Sequence, residues 1–258
     1  MVAVDMTELL LVTFGVSLGI QAVLFAFAAT LKTDKVTDLS YGLTFVLLAG
    51  WLLSRGDVSV PAQVALAAMV VLWGVRLAGY LFYRILTIGR DARFDGIREH
   101  FWPFFKFWFG QGIAVWVIML PVTLWFAAPA PYSFWMSVGG TIWAVGLTIE
   151  TVADAQKFAA KIRPGGNDAW VDEGLWKYSR YPNYFGEMLC WWGVYAFVAP
   201  GLGAWNALGI LGPVSITYIL LKVTGIPTLE KSANKKWGSN PDYQAYVART
   251  RRLMPLPR

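Results

Sequence analysis

The chain has 258 residues, 57% of them hydrophobic and only 15% charged, with 14 Trp, 16 Phe and a formal net charge of +6. Its apolar residues come in runs of about 20, enough to cross a ~30 Å hydrocarbon core, which excludes a soluble domain. One Cys and one His exclude an internal disulfide and the ligand clusters of zinc or di-iron sites.

In chain order, the apolar runs predict seven spans, at about Thr7–Leu31, Asp38–Leu53, Val58–Ile88, Phe104–Ala128, Phe134–Phe158, Tyr184–Ala199 and Ala204–Gly225. The first run is too long for a signal-peptide core and has no positive leader, so it is read as a retained span. No soluble segment is left over, and residues 1–258 are expected to form one all-α integral membrane domain. The loops at 32–37, 89–106 and 157–183 and the tail from Lys222 hold nineteen Lys and Arg, and the opposite loops hold only Arg55. This asymmetry places the N-terminus outside and the C-terminus in the cytoplasm. The positive charge then fits anionic lipid contact and calls for no nucleic-acid partner.

The stretch Asp154–Gly193 concentrates the polar chemistry: Asp154, Lys157, Lys161, Arg163, Lys177, Arg180, Asn183 and Glu187. Such side chains at or near bilayer depth do not favour insertion, and they mark functional sites by default. Glu150 and Asp154 are four apart, with Lys157 one turn on. Asn183 and Glu187 have the same relation just after Pro182, a residue suited to a first helical turn. Arg76, Tyr80 and Arg84 form a third stripe, and Asp38 lies one turn from Tyr41. Each pair can equally be an ion pair or hydrogen bond that ties helices together. A cytoplasmic cleft of Arg, Lys, Tyr and Asn suits an anionic, phosphate-bearing ligand. There is no Gly-x-Gly-x-x-Gly or P-loop motif, so the usual nucleotide loops are excluded.

Three segments carry a family resemblance: Gly89-Arg90-Asp91-Ala92-Arg93-Phe94, Ala153-Asp154-Ala155-Gln156-Lys157, and Gly174 to Glu187, reading GLWKYSRYPNYFGE. From about Trp73 onward the chain resembles the membrane steroid 5α-reductase family, in its bacterial reductase-like branch. The resemblance implies a seven-helix fold in a bacterial inner membrane, NADPH in a cytoplasmic cavity, and a lipophilic enone among the N-terminal helices. Residues 1–70 would then face substrate and 71–258 the cofactor. By position, Asp154, Lys161, Tyr178, Asn183 and Glu187 match family cofactor positions, and Arg90 resembles the arginine after span three. Lys161 stands where relatives carry Arg, and Gly225–Glu230 stands where the animal enzymes carry a His-rich segment.

The candidate cofactor set is Arg84, Arg90, Asp91, Arg93, Asp154, Lys157, Lys161, Arg163, Tyr178, Arg180, Asn183 and Tyr184, with the basic members on the phosphates. Asp38, Tyr80 and Glu187 are the candidate catalytic residues. The implied reaction is hydride addition to the Δ4 bond of a 3-oxo steroid or similar lipid. Asp38, kept neutral by burial, would act with Tyr80 to donate to the developing enolate oxygen. Isoprenylcysteine methyltransferases share the Arg-(His/Tyr)-Pro-x-Tyr-x-Gly turn but bind S-adenosylmethionine. They usually carry an aromatic residue where this chain has Glu187, and paired glutamates near the tail where Glu230 stands alone. A non-catalytic lipid-binding protein is the third class.

Overall fold

A computed structural model describes residues 5–89, 91–166 and 169–256. Described residues are helical almost throughout, and none of them forms a β-strand. The long helices are α1 (Met6–Thr30), α2 (Thr37–Arg55), α3 (Pro61–Ile88), α4 (Phe101–Ala127), α5 (Phe134–Ile162) and α6 (Pro182–Leu202). Short helices α7 (Asn206–Gly209) and α8 (Leu211–Tyr218) follow, then a π-turn at Ile219–Val223, α9 (Ile226–Trp237) and α10 (Pro241–Arg249). Six segments are long and apolar enough to cross a membrane: α1 to α5 and the run Pro182–Gly209. The chain is a multi-pass membrane protein.

The single continuous helix expected over Ala204–Gly225 is not found. Gly203 takes a positive φ of 52°, a conformation that costs other residues a clash, and it ends the α6 run. The chain then doubles back, with the Tyr195 hydroxyl donating to Asn206 Oδ1 at 3.1 Å and Gly209 close against Leu202. Helix α5 also runs past the expected end at Phe158, so Lys157 and Lys161 lie on helix rather than loop.

By contacts the chain divides into two compact units. The first comprises residues up to Gly139 with Val194–Gly212, and the second Gly140–Gly193 with Pro213–Arg258. In the first, α1 packs along α4 and α2 along α3. The buried stripe of α1 is Leu9, Thr13, Ser17, Gln21, Phe25 and Ala28, polar at its centre, while Leu11, Val23 and Phe27 point outward. That inversion suits lipid: apolar side chains gain nothing by pairing there, whereas hydrogen bonds and close packing hold helices together. Accordingly, the Ser17 hydroxyl donates to Gly112 O at 2.8 Å. Gln21 joins α2 and α4 by donating to Thr44 Oγ1 at 2.8 Å and accepting from Gln111 Nε2 at 2.9 Å. Helices α2 and α3 touch backbone to backbone, since a Cβ on Gly42 would lie 2.8 Å from Ala78 Cβ and 2.9 Å from Gly74 O.

Candidate functional site

The second unit places the buried acids of α5 against the start of α6. The two helices cross at Gly146 and Gly186, where a Cβ on either residue would meet the other's carbonyl oxygen at 2.6–2.7 Å. Only glycine permits that approach, and it sets the polar side chains on both sides of the crossing against one another. Asn183 Nδ2 donates to Asp154 Oδ1 at 3.1 Å. Asn183 Oδ1 is buried and accepts no hydrogen bond among the described residues. Asp154, Glu150 and Glu187 are all buried, and Glu150 Oε2 lies 3.9 Å from Cys190 Sγ. Three buried carboxyls thus gather at one crossing of apolar helices, where burying a charge is costly unless it is paired.

The basic residues nearby have defined partners. Lys157 Nζ stands 5.0 Å over the Trp176 ring. Lys161 donates to Gly166 O and Ala169 O, both at 3.1 Å, and lies over Trp237, so it closes the turn that follows α5. Arg163 reaches outward to Glu173 at 2.8 Å, and Tyr178 is 39% exposed. Tyr184 stacks on Tyr181 with centroids 6.0 Å apart. Arg180 Nη1 meets Glu230 Oε1 at 3.2 Å, while its buried Nε donates to no acceptor. Burial pushes the Tyr181 phenol up, assisted by the Glu230 charge, and burial does the same to Tyr246. Both therefore remain neutral donors at ordinary pH.

The other candidates belong to the first unit. Asp38 Oδ2 accepts from Arg93 at 2.9 Å and Arg84 at 3.3 Å, and the same two arginines meet Asp91 Oδ2 at 2.7 and 3.3 Å. Asp34 accepts from the Asp91 N–H at 2.8 Å and from Arg98 at 2.9 Å, and Arg98 also meets Asp95 and Glu99. Burial raises the Asp91 carboxyl, but hydrogen bonds from Arg93 and its charge outweigh this and hold it below the usual range. The burial expected of Asp38 is not found: its side chain is 23% exposed and lies between two guanidiniums. Arg84, Arg93 and Arg98 face five carboxylates (Asp34, Asp38, Asp91, Asp95 and Glu99), an ion-pair network on the loop after α3. Tyr80 lies beneath Arg76, 5.7 Å from its guanidinium carbon. Arg90 lies outside the described residues.

The family described as "Protein of unknown function (DUF1295)" matches residues 24–250. The chain belongs to the DUF1295 family. That family is one of membrane proteins resembling steroid 5α-reductases. No curated protein and no solved structure matches the chain. The match runs through both units and includes α5, the turn before α6, and α10.

Within this DUF1295 chain the structure adds residues that sequence spacing did not single out as site residues. Glu230 of α9 binds Arg180 and also Arg252, whose Nε and Nη2 donate to its two oxygens at 3.1 and 2.8 Å. Tyr246 donates to Trp176 O at 2.9 Å. The sequence signal was present in the lone acid at 230, but its partners lie 50 and 22 residues away.

Proposed function

We propose that this protein is an NADPH-dependent reductase of the C=C bond of a lipophilic α,β-unsaturated ketone, with a 3-oxo-Δ4 steroid giving its 5α product as the first substrate to test. The reading rests on one observation above all: the part-buried Asp154–Asn183 hydrogen bond, whose Asn183 Oδ1 is a buried acceptor with no donor among the described residues, beside the buried carboxyls of Glu150 and Glu187. An unpartnered buried acceptor is costly in the ligand-free protein, and a bound donor removes that cost.

The residues suit NADPH in kind. Asn183 Oδ1 is an acceptor for an amide N–H such as that of a carboxamide, Arg180 Nε is a buried donor, and Lys157 and Arg180 are cations for phosphate. When bound, NADPH supplies the hydride. Asp154 fixes the orientation of the Asn183 amide by accepting from Nδ2, which leaves Oδ1 as the end that faces a ligand. Glu187, one helical turn from Asn183, carries the proton toward the oxygen of the developing enolate.

The loop charges support an outside N-terminus and a cytoplasmic C-terminus, which opens the second unit to cytoplasmic nucleotide. A seventh crossing, which termini on opposite sides require, would be made within the apolar run Ala204–Gly225. A bacterial inner membrane is the proposed location.

The test is turnover. Protein in nanodiscs is mixed with NADPH and a 3-oxo-Δ4 steroid, absorbance at 340 nm is followed, and the product is weighed by mass spectrometry. The reading expects nucleotide oxidation with a gain of two hydrogens on the steroid, lost in Asn183→Ala. Absence of NADPH oxidation with every enone tried, from protein shown to be folded, would end it.

A further inference from the structure

We infer that Glu230 is the positioning residue of the Arg180–Asn183 turn, acting through a C-terminal strap that fixes the backbone leading into α6. Residues 176–181 run from the end of a 3-10 turn (Gly174–Lys177) to the start of α6, and the tail supplies much of their hydrogen bonding. The Arg180 N–H donates to Arg251 O at 2.9 Å in an isolated parallel bridge between Ser179 and Arg251. The Ser179 hydroxyl donates to Leu253 O at 2.7 Å and accepts from the Tyr181 N–H at 3.1 Å. Tyr246 and Thr250 donate to the carbonyls of Trp176 and Lys177.

These bonds form a relay from the tail through Ser179 to Tyr181, two residues before Asn183. What holds the tail in register is the Glu230 carboxylate. It accepts from Nε and Nη2 of Arg252 on one side and meets Nη1 of Arg180 on the other. The carboxylate thus ties tail and turn at one point, and without its charge two guanidiniums face each other across the gap. Bidentate, charge-assisted contacts of this kind set geometry as well as energy. Glu230 touches neither Asp154 nor Asn183 among the hydrogen bonds described, so its effect on the ligand-facing amide is through the backbone.

The inference rests on the reading that Asn183 faces a ligand, but its first test does not. Amide hydrogen exchange is measured on full-length wild type, Glu230→Gln, Arg252→Met and the double variant. The N–H groups of Arg180 and Tyr181 report the strap directly, because their acceptors are Arg251 O and Ser179 Oγ. Glu230→Gln should speed exchange at these two sites by roughly tenfold or more, the order expected when charged hydrogen bonds are lost, and leave α1 unchanged. The double variant should be little worse than either single one, since both break the same clasp. If Glu230→Gln does not fold, Arg252→Met and Ser179→Ala carry the comparison.

The second readout is NADPH affinity. A positioning role predicts a weaker Kd and a raised KM with kcat within about twofold, and partial recovery in Glu230→Asp. Wild-type protein that binds no NADPH would remove the cofactor reading and leave the strap to be judged on exchange alone. Unchanged exchange at Arg180 and Tyr181, or an equal increase along the whole chain, overturns the inference.

Discussion

Replacing Gly186 by Ala tests the crossing that brings the candidate site together. The new Cβ would lie 2.6 Å from Glu150 N, 2.6 Å from Gly146 O and 2.8 Å from Glu150 Cβ. Ordinary contact begins near 3.4 Å, so α5 and α6 must part by 0.8 Å or more at that point. Two of the three obstacles are helix backbone, which cannot rotate away as a flexible side chain would. Overpacking of this kind costs about 1–3 kcal/mol. The Asp154–Asn183 hydrogen bond, at 3.1 Å and about one turn from the crossing, would stretch beyond useful length. Thermal unfolding in nanodiscs, followed by Trp fluorescence, should show a midpoint lower by several degrees, at roughly 2–4 °C per kcal/mol for a chain of this size. NADPH should also lose its stabilising effect. Gly140→Ala in α5 is the control, because its Cβ meets nothing within 4 Å, and it should be neutral or stabilising by up to about 1 kcal/mol. A Gly186→Ala protein indistinguishable from Gly140→Ala would refute the close-crossing argument.

Asn183→Ala and Glu187→Ala should abolish NADPH-dependent turnover at near wild-type folded yield, whereas loss of folded protein with normal specific activity would make the pair structural. Asp38→Asn should lower stability by about 1 kcal/mol or less per lost ion pair, given its partly exposed partners, and leave the pH–rate profile in place; a large fall in rate at unchanged stability would restore it as the proton donor. Asp91 has a folded pKa held below its ordinary 3.8, so its stabilising contribution is complete above that value and is lost as pH falls through the lower folded value. The thermal midpoint of wild type should therefore approach that of Asp91→Asn on acidification below about pH 4, and a gap that stays constant from pH 7 to pH 3 would show that the charge contributes nothing.

The membrane helices were legible in the sequence because a span is mainly a matter of run length, and α2 to α5 begin or end close to the expected residues. The Ala204–Gly225 run misled because its hydropathy is continuous while the helix is broken at Gly203, with its positive φ, and again at Ile210. The pairs Glu150 with Asp154 and Asn183 with Glu187 were readable as one-face neighbours on separate helices. Their meeting was not, because it depends on Gly146 and Gly186, which look like any other membrane glycines until the partner helix is known. The burial expected of Asp38 was not met because its place at the head of an apolar helix says nothing of the loop after α3, which returns Arg93 to it. The tail strap left no periodic trace, since it consists of isolated backbone hydrogen bonds between residues about 70 apart.

The central claim is that the second unit holds a reduced nicotinamide nucleotide at Asn183. The most direct measurement is the thermal midpoint of the purified protein with NADPH, NADH or S-adenosylmethionine, in wild type and in Asn183→Ala. A ligand raises the midpoint only of a folded state it binds, by about 2.7 kcal/mol at one hundred times its Kd. The account predicts stabilisation of wild type by NADPH, none by S-adenosylmethionine, and none by either in Asn183→Ala. Stabilisation by S-adenosylmethionine alone would make the protein a methyltransferase, and stabilisation by no nucleotide would contradict the cofactor site altogether.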